Sequence, residues 1–177
     1  MARGYALGRR QASVDRTAAA ILAAAGHELR ERPAHALSVG AVARRAGVTR
    51  STVYNRFGSR EGLIDALVPS HEVPGVQTAD PRESVHHFLS SRCAHWAADS
   101  ALHRNLAKTE DGEVPRRLAE QLATLDALRP GCSLKEAQDV LAVLGSFALF
   151  DRLHQDGRRS AGAVAEILMR LAAGILA

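Results

Sequence analysis

Arg50, Ser51, Thr52, Tyr54, Asn55 and Arg56 crowd seven positions of the chain, with Thr49 just before them and Arg60 just after. Arginine, hydroxyl and amide side chains at this density are suited to polar recognition. Arg50, Thr52 and Tyr54 can donate to base edges or phosphates, and Asn55 can pair with a base edge. Arg56 and Arg60, near helix ends, suit phosphate oxygens. Free backbone donors at a helix start near Ser59 would add an anion site. The competing reading is a solvated polar face on an ordinary helical hairpin.

These residues need a scaffold, and the neighbouring sequence supplies one. Ser38 reads as an N-cap, followed by a short helix to about Ala46. Gly47 can end it in the left-handed conformation without steric cost. Thr49 caps a second short helix to about Phe57. Gly58 breaks the chain, and Ser59 caps a further helix with Glu61 in its first turn. Ala43 is small where the two short helices would cross. Val48 and Val53 fill the space between them, and Val42 and Phe57 face the rest of the core. This spacing predicts a helix-turn-helix, whose second helix enters a major groove.

Upstream, Val14, Ala18, Ile21, Leu22, Ala25 and Leu29 recur at helical spacing, predicting a helix from about Val14 to Arg30. The basic arm holds Arg3, Arg9, Arg10 and Arg16. It either reaches an adjacent minor groove or backbone, or is a tail with weak phosphate contacts.

The segment Ser38–Glu61 resembles the DNA-binding domain of TetR-type regulators. The resemblance rests on Ala43, Ala46, Gly47-Val48-Thr49, Thr52-Val53-Tyr54, Phe57, Gly58 and Ser59-Arg60-Glu61. It covers about 50 residues, from the first helix to about Leu67. It implies that Ser38, Thr49, Arg50, Ser51, Thr52, Tyr54, Asn55, Arg56 and Arg60 form the DNA-binding set. Ser51 stands where many members have Gly, Arg56 where many have His, Gly58 where Pro is frequent, and Arg60 where Lys is usual. These departures leave the operator sequence unreadable.

Charge agrees with a divided chain. Residues 1–60 hold eleven arginines against three acids, while residues 61–177 hold twelve Lys or Arg against sixteen acids. A basic first third suggests that one end meets a polyanion. Helix formers dominate and β-branched runs are missing, so the expected fold is all-α. The expected division is residues 1–70, a DNA-binding domain, and residues 71–177, a helical effector-sensing and dimerisation domain. His71–Pro81 reads as the connector.

In the remainder, Asp80-Pro81-Arg82-Glu83 opens a helix whose apolar face is Val85, Phe88, Leu89, Cys93, Trp96 and Ala97. Thr109–Pro115 reads as a loop. Val114, Leu118, Leu122, Leu125 and Leu128 mark a helix stopped at Pro130-Gly131. Ser133–Glu136 is a capping box opening a long helix to about Asp156, and a last helix starts at Ser160. The resemblance implies that these last two pair with their mates in a homodimer, through Leu141, Leu144 and Ala148 on one and Leu168, Leu171, Ala172 and Ile175 on the other. The competing reading buries these faces within one chain. An unknown small-molecule effector would meet Phe88, Trp96, Phe147 and Phe150, unless they are plain core.

His95, Asp99 and His103 recur every four residues, yet three ligands in one row do not close a tetrahedron. Solvated histidines are the expectation, with neither metal nor cofactor. Cys93 and Cys132 match no zinc or disulfide framework. No apolar run reaches the roughly 20 residues of a membrane span, and no secretory signal is visible, so a cytoplasmic protein is expected. No nucleophile elbow or phosphate loop suggests an enzyme. The expected function is a ligand-responsive repressor acting as a homodimer on a palindromic DNA operator. The alternatives are a non-specific architectural DNA-binding protein and a ligand-independent regulator of the same fold.

Overall fold

The computed structural model describes residues 3–67, 80–106 and 112–177, with side chains from Ala12 onward except that of residue 13. The expected boundary at residue 70, most of the connector His71–Pro81, part of the loop Thr109–Pro115 and the side chains of Arg3, Arg9 and Arg10 lie outside the described residues. All regular elements among the described residues are helical. The chain divides into two compact units, Met1–His71 with Asn105–Ala107, and Glu72–Arg104 with Lys108–Ala177.

The first unit contains α1 (Arg3–Glu31), a 3-10 turn at Ala34–Ala36, α2 (Val39–Arg45), α3 (Arg50–Phe57) and α4 (Arg60–Asp65). Its core is formed by the residues that the periodicity selected. Ile21, Ala25 and Leu29 of α1 are buried, as are Val42 and Ala43 of α2, Val53 of α3 and Leu63 of α4. Val14 is exposed instead, and helix α1 begins some three turns earlier than the apolar stripe suggested. Glu28 is buried to 8% exposure in this core and accepts from Arg45 Nη2 at 3.5 Å, tying α1 to α2.

The turn after α2 is a Schellman motif. The Val48 N–H donates to Ala43 O at 3.0 Å and the Gly47 N–H to Arg44 O at 3.3 Å. Gly47 has φ of +67°, which glycine adopts without the Cβ penalty that other residues carry.

The second unit contains α5 (Pro81–Ala98), α6 (Ser100–Asn105) apart from its last residue, α7 (Glu113–Thr124), α8 (Leu134–Leu144), α9 (Phe147–Asp151), a π turn (Arg152–Asp156) and α10 (Ala161–Ala172). The expected face of α5 forms its centre, with Val85, Phe88, Leu89, Cys93 and Trp96 all buried. Two predicted helices are shorter. Helix α7 ends at Thr124 rather than near Leu128, because the chain there turns to pair with the C-terminal strand-like segment. Arg129 donates to Ile175 O and Ala177 to Ala127 O, each at 2.9 Å.

The long helix expected from Ser133 to Asp156 is broken at Gly145. Ser146 caps α9 there, accepting from the Leu149 N–H. A Cβ at Gly145 would stand 2.6 Å from Phe88 Cζ, so the break lies where backbone and aromatic ring meet closely. Among the described residues no helix is long and apolar enough to cross a membrane.

Candidate nucleic-acid interface

Helix α3 owes its place to two opposed stripes. Val53 and Phe57, one turn apart, face inward, Val53 fully and Phe57 in part. Arg50, Ser51, Tyr54, Asn55 and Arg56 are exposed, and Thr52 is half-buried. Tyr54 leaves 47% of its surface in solvent, a large aromatic group held outside the core.

The start of α3 is a hydroxyl cluster. Thr49 Oγ1 accepts from the Thr52 N–H at 3.2 Å, and lies 2.8 Å from Ser51 Oγ and 2.9 Å from Thr52 Oγ1. It caps a helix end that would otherwise leave donors unmatched. Ser38 Oγ likewise accepts from the Ala41 N–H at 3.3 Å and Ser59 Oγ from the Gly62 N–H at 2.9 Å. Ser38 therefore serves α2 first, as an exposed cap.

The cations differ in their surroundings. Arg56 Nη2 is 3.7 Å from Asp15 of α1, an exposed and long pair. Arg60 is held more firmly: Nη1 donates to His35 O at 2.9 Å and Nε lies 3.4 Å from Glu61. Its guanidinium fastens α4 to the 3-10 turn, a structural part that the sequence reading did not foresee. Arg50 lies across Gly40 of α2. Sequence reasoning also passed over Arg44 and Arg45, exposed in the last turn of α2. Their position three and two residues before Gly47 was the available signal. Arg16, the arm arginine with a described side chain, donates from Nε to Ala12 O at 3.3 Å within α1.

In the second unit the four aromatic residues come together. Trp96 meets Phe147 at 5.9 Å and Phe150 at 5.4 Å between ring centroids, and Phe147 meets Phe150 at 6.1 Å. Phe88 joins through Arg92, whose guanidinium carbon lies 5.0 Å from its ring centroid and 5.7 Å from that of Trp96. Phe88, Phe150 and Trp96 are buried and Phe147 is half-buried. His103 and His154 extend the layer, at 5.7 Å from Phe147 and 5.0 Å from Phe150.

His95 and His103 meet edge to face at 4.6 Å, while Asp99 spends a carboxylate oxygen on the Leu102 N–H at the start of α6. Among the described residues no group of three or more His, Cys, Asp or Glu is arranged to hold a metal ion.

Of the residues expected at a dimer interface, Leu141, Leu144, Leu168, Ala172 and Ile175 are buried inside the unit's own core. Their side chains are already covered by α5, α7 and one another, which is the single-chain burial weighed as the competing reading. Ala148 and Leu171 are exposed, Leu171 to 55%, and Val143 on α8 to 60%.

Residues 21–67 match the family model described as bacterial regulatory proteins, tetR family. No curated protein matches the chain. Among solved structures, NalD of Pseudomonas aeruginosa, the secondary repressor of the MexAB-OprM multidrug efflux pump, is 23% identical with a TM-score of 0.75, over 92% of this chain and 98% of that one. TylP, a tetR regulator from Streptomyces fradiae, is 18% identical with a TM-score of 0.67, over 95% of this chain and 89% of its own. The fatty acid degradation regulator FadR from Bacillus halodurans is 16% identical with a TM-score of 0.67, over 88% and 97%. The matched segment contains the helix-turn-helix between Ser38 and Glu61, so residues 21–67 are similar to bacterial regulatory proteins of the tetR family, and the fold of the chain is similar to that of these solved structures.

Proposed function

We propose that the protein is a cytoplasmic, ligand-responsive repressor that binds a two-fold symmetric DNA operator as a homodimer. Residues 1–70 bind DNA and residues 71–177 sense the effector and dimerise. The observation that carries this reading is the division of α3, with Val53 inside and Arg50, Ser51, Tyr54, Asn55 and Arg56 outside. Such a helix presents a polar face to a major groove while its valine holds it on the body. Thr49, Ser51 and Thr52 address bases and backbone at the helix start, and Tyr54 a phosphate or thymine methyl. Arg60, fastened to His35, contributes positive potential near the backbone.

The repressor assignment draws support from the likeness in fold to NalD, which is described as a repressor. Dimerisation draws on the apolar surface exposed at Val143 and Leu171. An effector would bind at the aromatic layer of Phe88, Trp96, Phe147 and Phe150, with Phe147 as its accessible member. It acts by favouring the spacing of reading heads that does not fit the operator.

Selection from a random duplex pool tests the proposal. It is expected to return an inverted repeat whose half-sites lie one helical turn, about 34 Å, apart. Recovery of no common sequence, with random duplex competing as well as any selected one, would establish the architectural alternative. A compound that releases the selected operator should also change the emission of Trp96, the chain's single tryptophan.

A further inference from the structure

Gly40 is the second residue of the seven-residue helix α2 and is buried. Its backbone does not ask for glycine, since the glycines with positive φ are Gly47, Gly58 and Gly131. Glycine weakens a helix relative to alanine, so its presence here calls for a reason in packing. The group that occupies the space a Cβ would take is the Arg50 guanidinium. A Cβ at Gly40 would stand 2.5 Å from Arg50 Nη2, 2.8 Å from Nε and 2.9 Å from Cζ. All three are closer than atoms pack, so a side chain at this position would shift the guanidinium, a small move for the far end of an exposed arginine.

We infer that Gly40 is a positioning residue for DNA recognition: its empty Cβ position forms the berth that seats the Arg50 guanidinium against α2, and so sets the direction from which the first residue of α3 addresses DNA. An arginine otherwise samples many rotamers and loses that freedom on binding. Seated over Gly40, it has lost part of it beforehand. The planar guanidinium fits against a bare backbone, which a lysine ammonium does not reproduce. This inference rests on the reading of α3 as the recognition helix.

The test is a double-mutant cycle on the full chain, measuring affinity for the selected operator and for random duplex. Gly40→Ala and Arg50→Ala should each weaken operator binding by about tenfold or more, the loss of one base contact. The double variant should be no weaker than Arg50→Ala, because the glycine acts only through the arginine. A Gly40→Ala effect that persists undiminished in the Arg50→Ala background would show plain helix packing and overturn the inference, as would full operator affinity in Gly40→Ala.

Should Gly40→Ala not fold, Arg50→Lys reads the same berth from the other side. Loss of operator discrimination with random-duplex binding retained supports the inference, and wild-type discrimination overturns it. A wild-type protein that does not discriminate sinks the proposed function itself. One that discriminates while Arg50→Ala is unchanged sinks the role of Gly40 alone.

Discussion

Replacing Thr49 by valine keeps the shape and the β-branch while deleting one oxygen. That oxygen accepts from the Thr52 N–H at 3.2 Å and joins the hydroxyls of Ser51 and Thr52. An N-cap of this kind is worth about 1 kcal/mol. Helix α3 has eight residues, well short of the roughly 12–15 at which a helix is even marginal alone. It depends on its cap and on Val53. A loss of about 1 kcal/mol in a chain of this size lowers Tm by about 2–4 °C.

Operator binding should suffer more. In the proposed homodimer each reading head must rebuild the first turn of α3 before contacting DNA, so two heads would lose about 2 kcal/mol, roughly 30-fold in Kd. Melting followed by circular dichroism and a gel shift with the selected operator read the two effects. Thr49→Ser retains the oxygen and should stay near wild type in both. The reasoning fails if Thr49→Val matches wild type, or if Thr49→Ser loses as much, since the methyl and not the hydroxyl would then be the operative group.

Two further outcomes concern the second unit. Phe150→Ala removes a fully buried ring packed on Trp96 and Phe147, and should cost about 3–5 kcal/mol in urea unfolding with a red shift of Trp96 emission; a cost under about 1 kcal/mol would show a loosely packed layer. Burial pushes the Cys93 thiol up to about 11 from its ordinary 9.0, so it stays protonated and unreactive in the folded protein. Iodoacetamide at pH 8.5 should label the more accessible Cys132 first. Because the unfolded thiol ionises earlier than the folded one, the stability Cys93 contributes is complete below pH 9 and declines as pH rises towards 11. Equal labelling rates for the two thiols would contradict this.

The helix starts were legible because capping is local chemistry. Ser38, Thr49, Ser59, Asp80, Ser133 and Ser160 all accept from backbone donors within the first turn, as their types and places suggest. The faces of α1, α3 and α5 were legible from periodicity. What the sequence hid was tertiary in origin. Helix α7 stops early because Leu128 pairs with Leu176, and Asp126 turns with φ of +52°. Helix α8 breaks at Gly145, where Phe88 comes close against the backbone.

The stripe Leu141, Leu144, Leu168, Ala172 and Ile175 carries no mark that distinguishes a face buried in one chain from a face buried between two. Arg60 read as a phosphate ligand because its bond to the His35 carbonyl crosses 25 residues of sequence. Gly40 left a visible trace, a glycine inside a short helix, but its meaning required seeing Arg50 above it.

The ratio of operator to random-duplex affinity, measured for wild type, Tyr54→Ala, Asn55→Ala and the surface variant Ala123→Ser on α7 at one salt concentration, tests the outward face of α3 most directly. That face predicts a ratio reduced by about tenfold or more in at least one of the two α3 variants, and unchanged in Ala123→Ser. A ratio unaltered by both α3 substitutions, in a wild type that does discriminate, would contradict it.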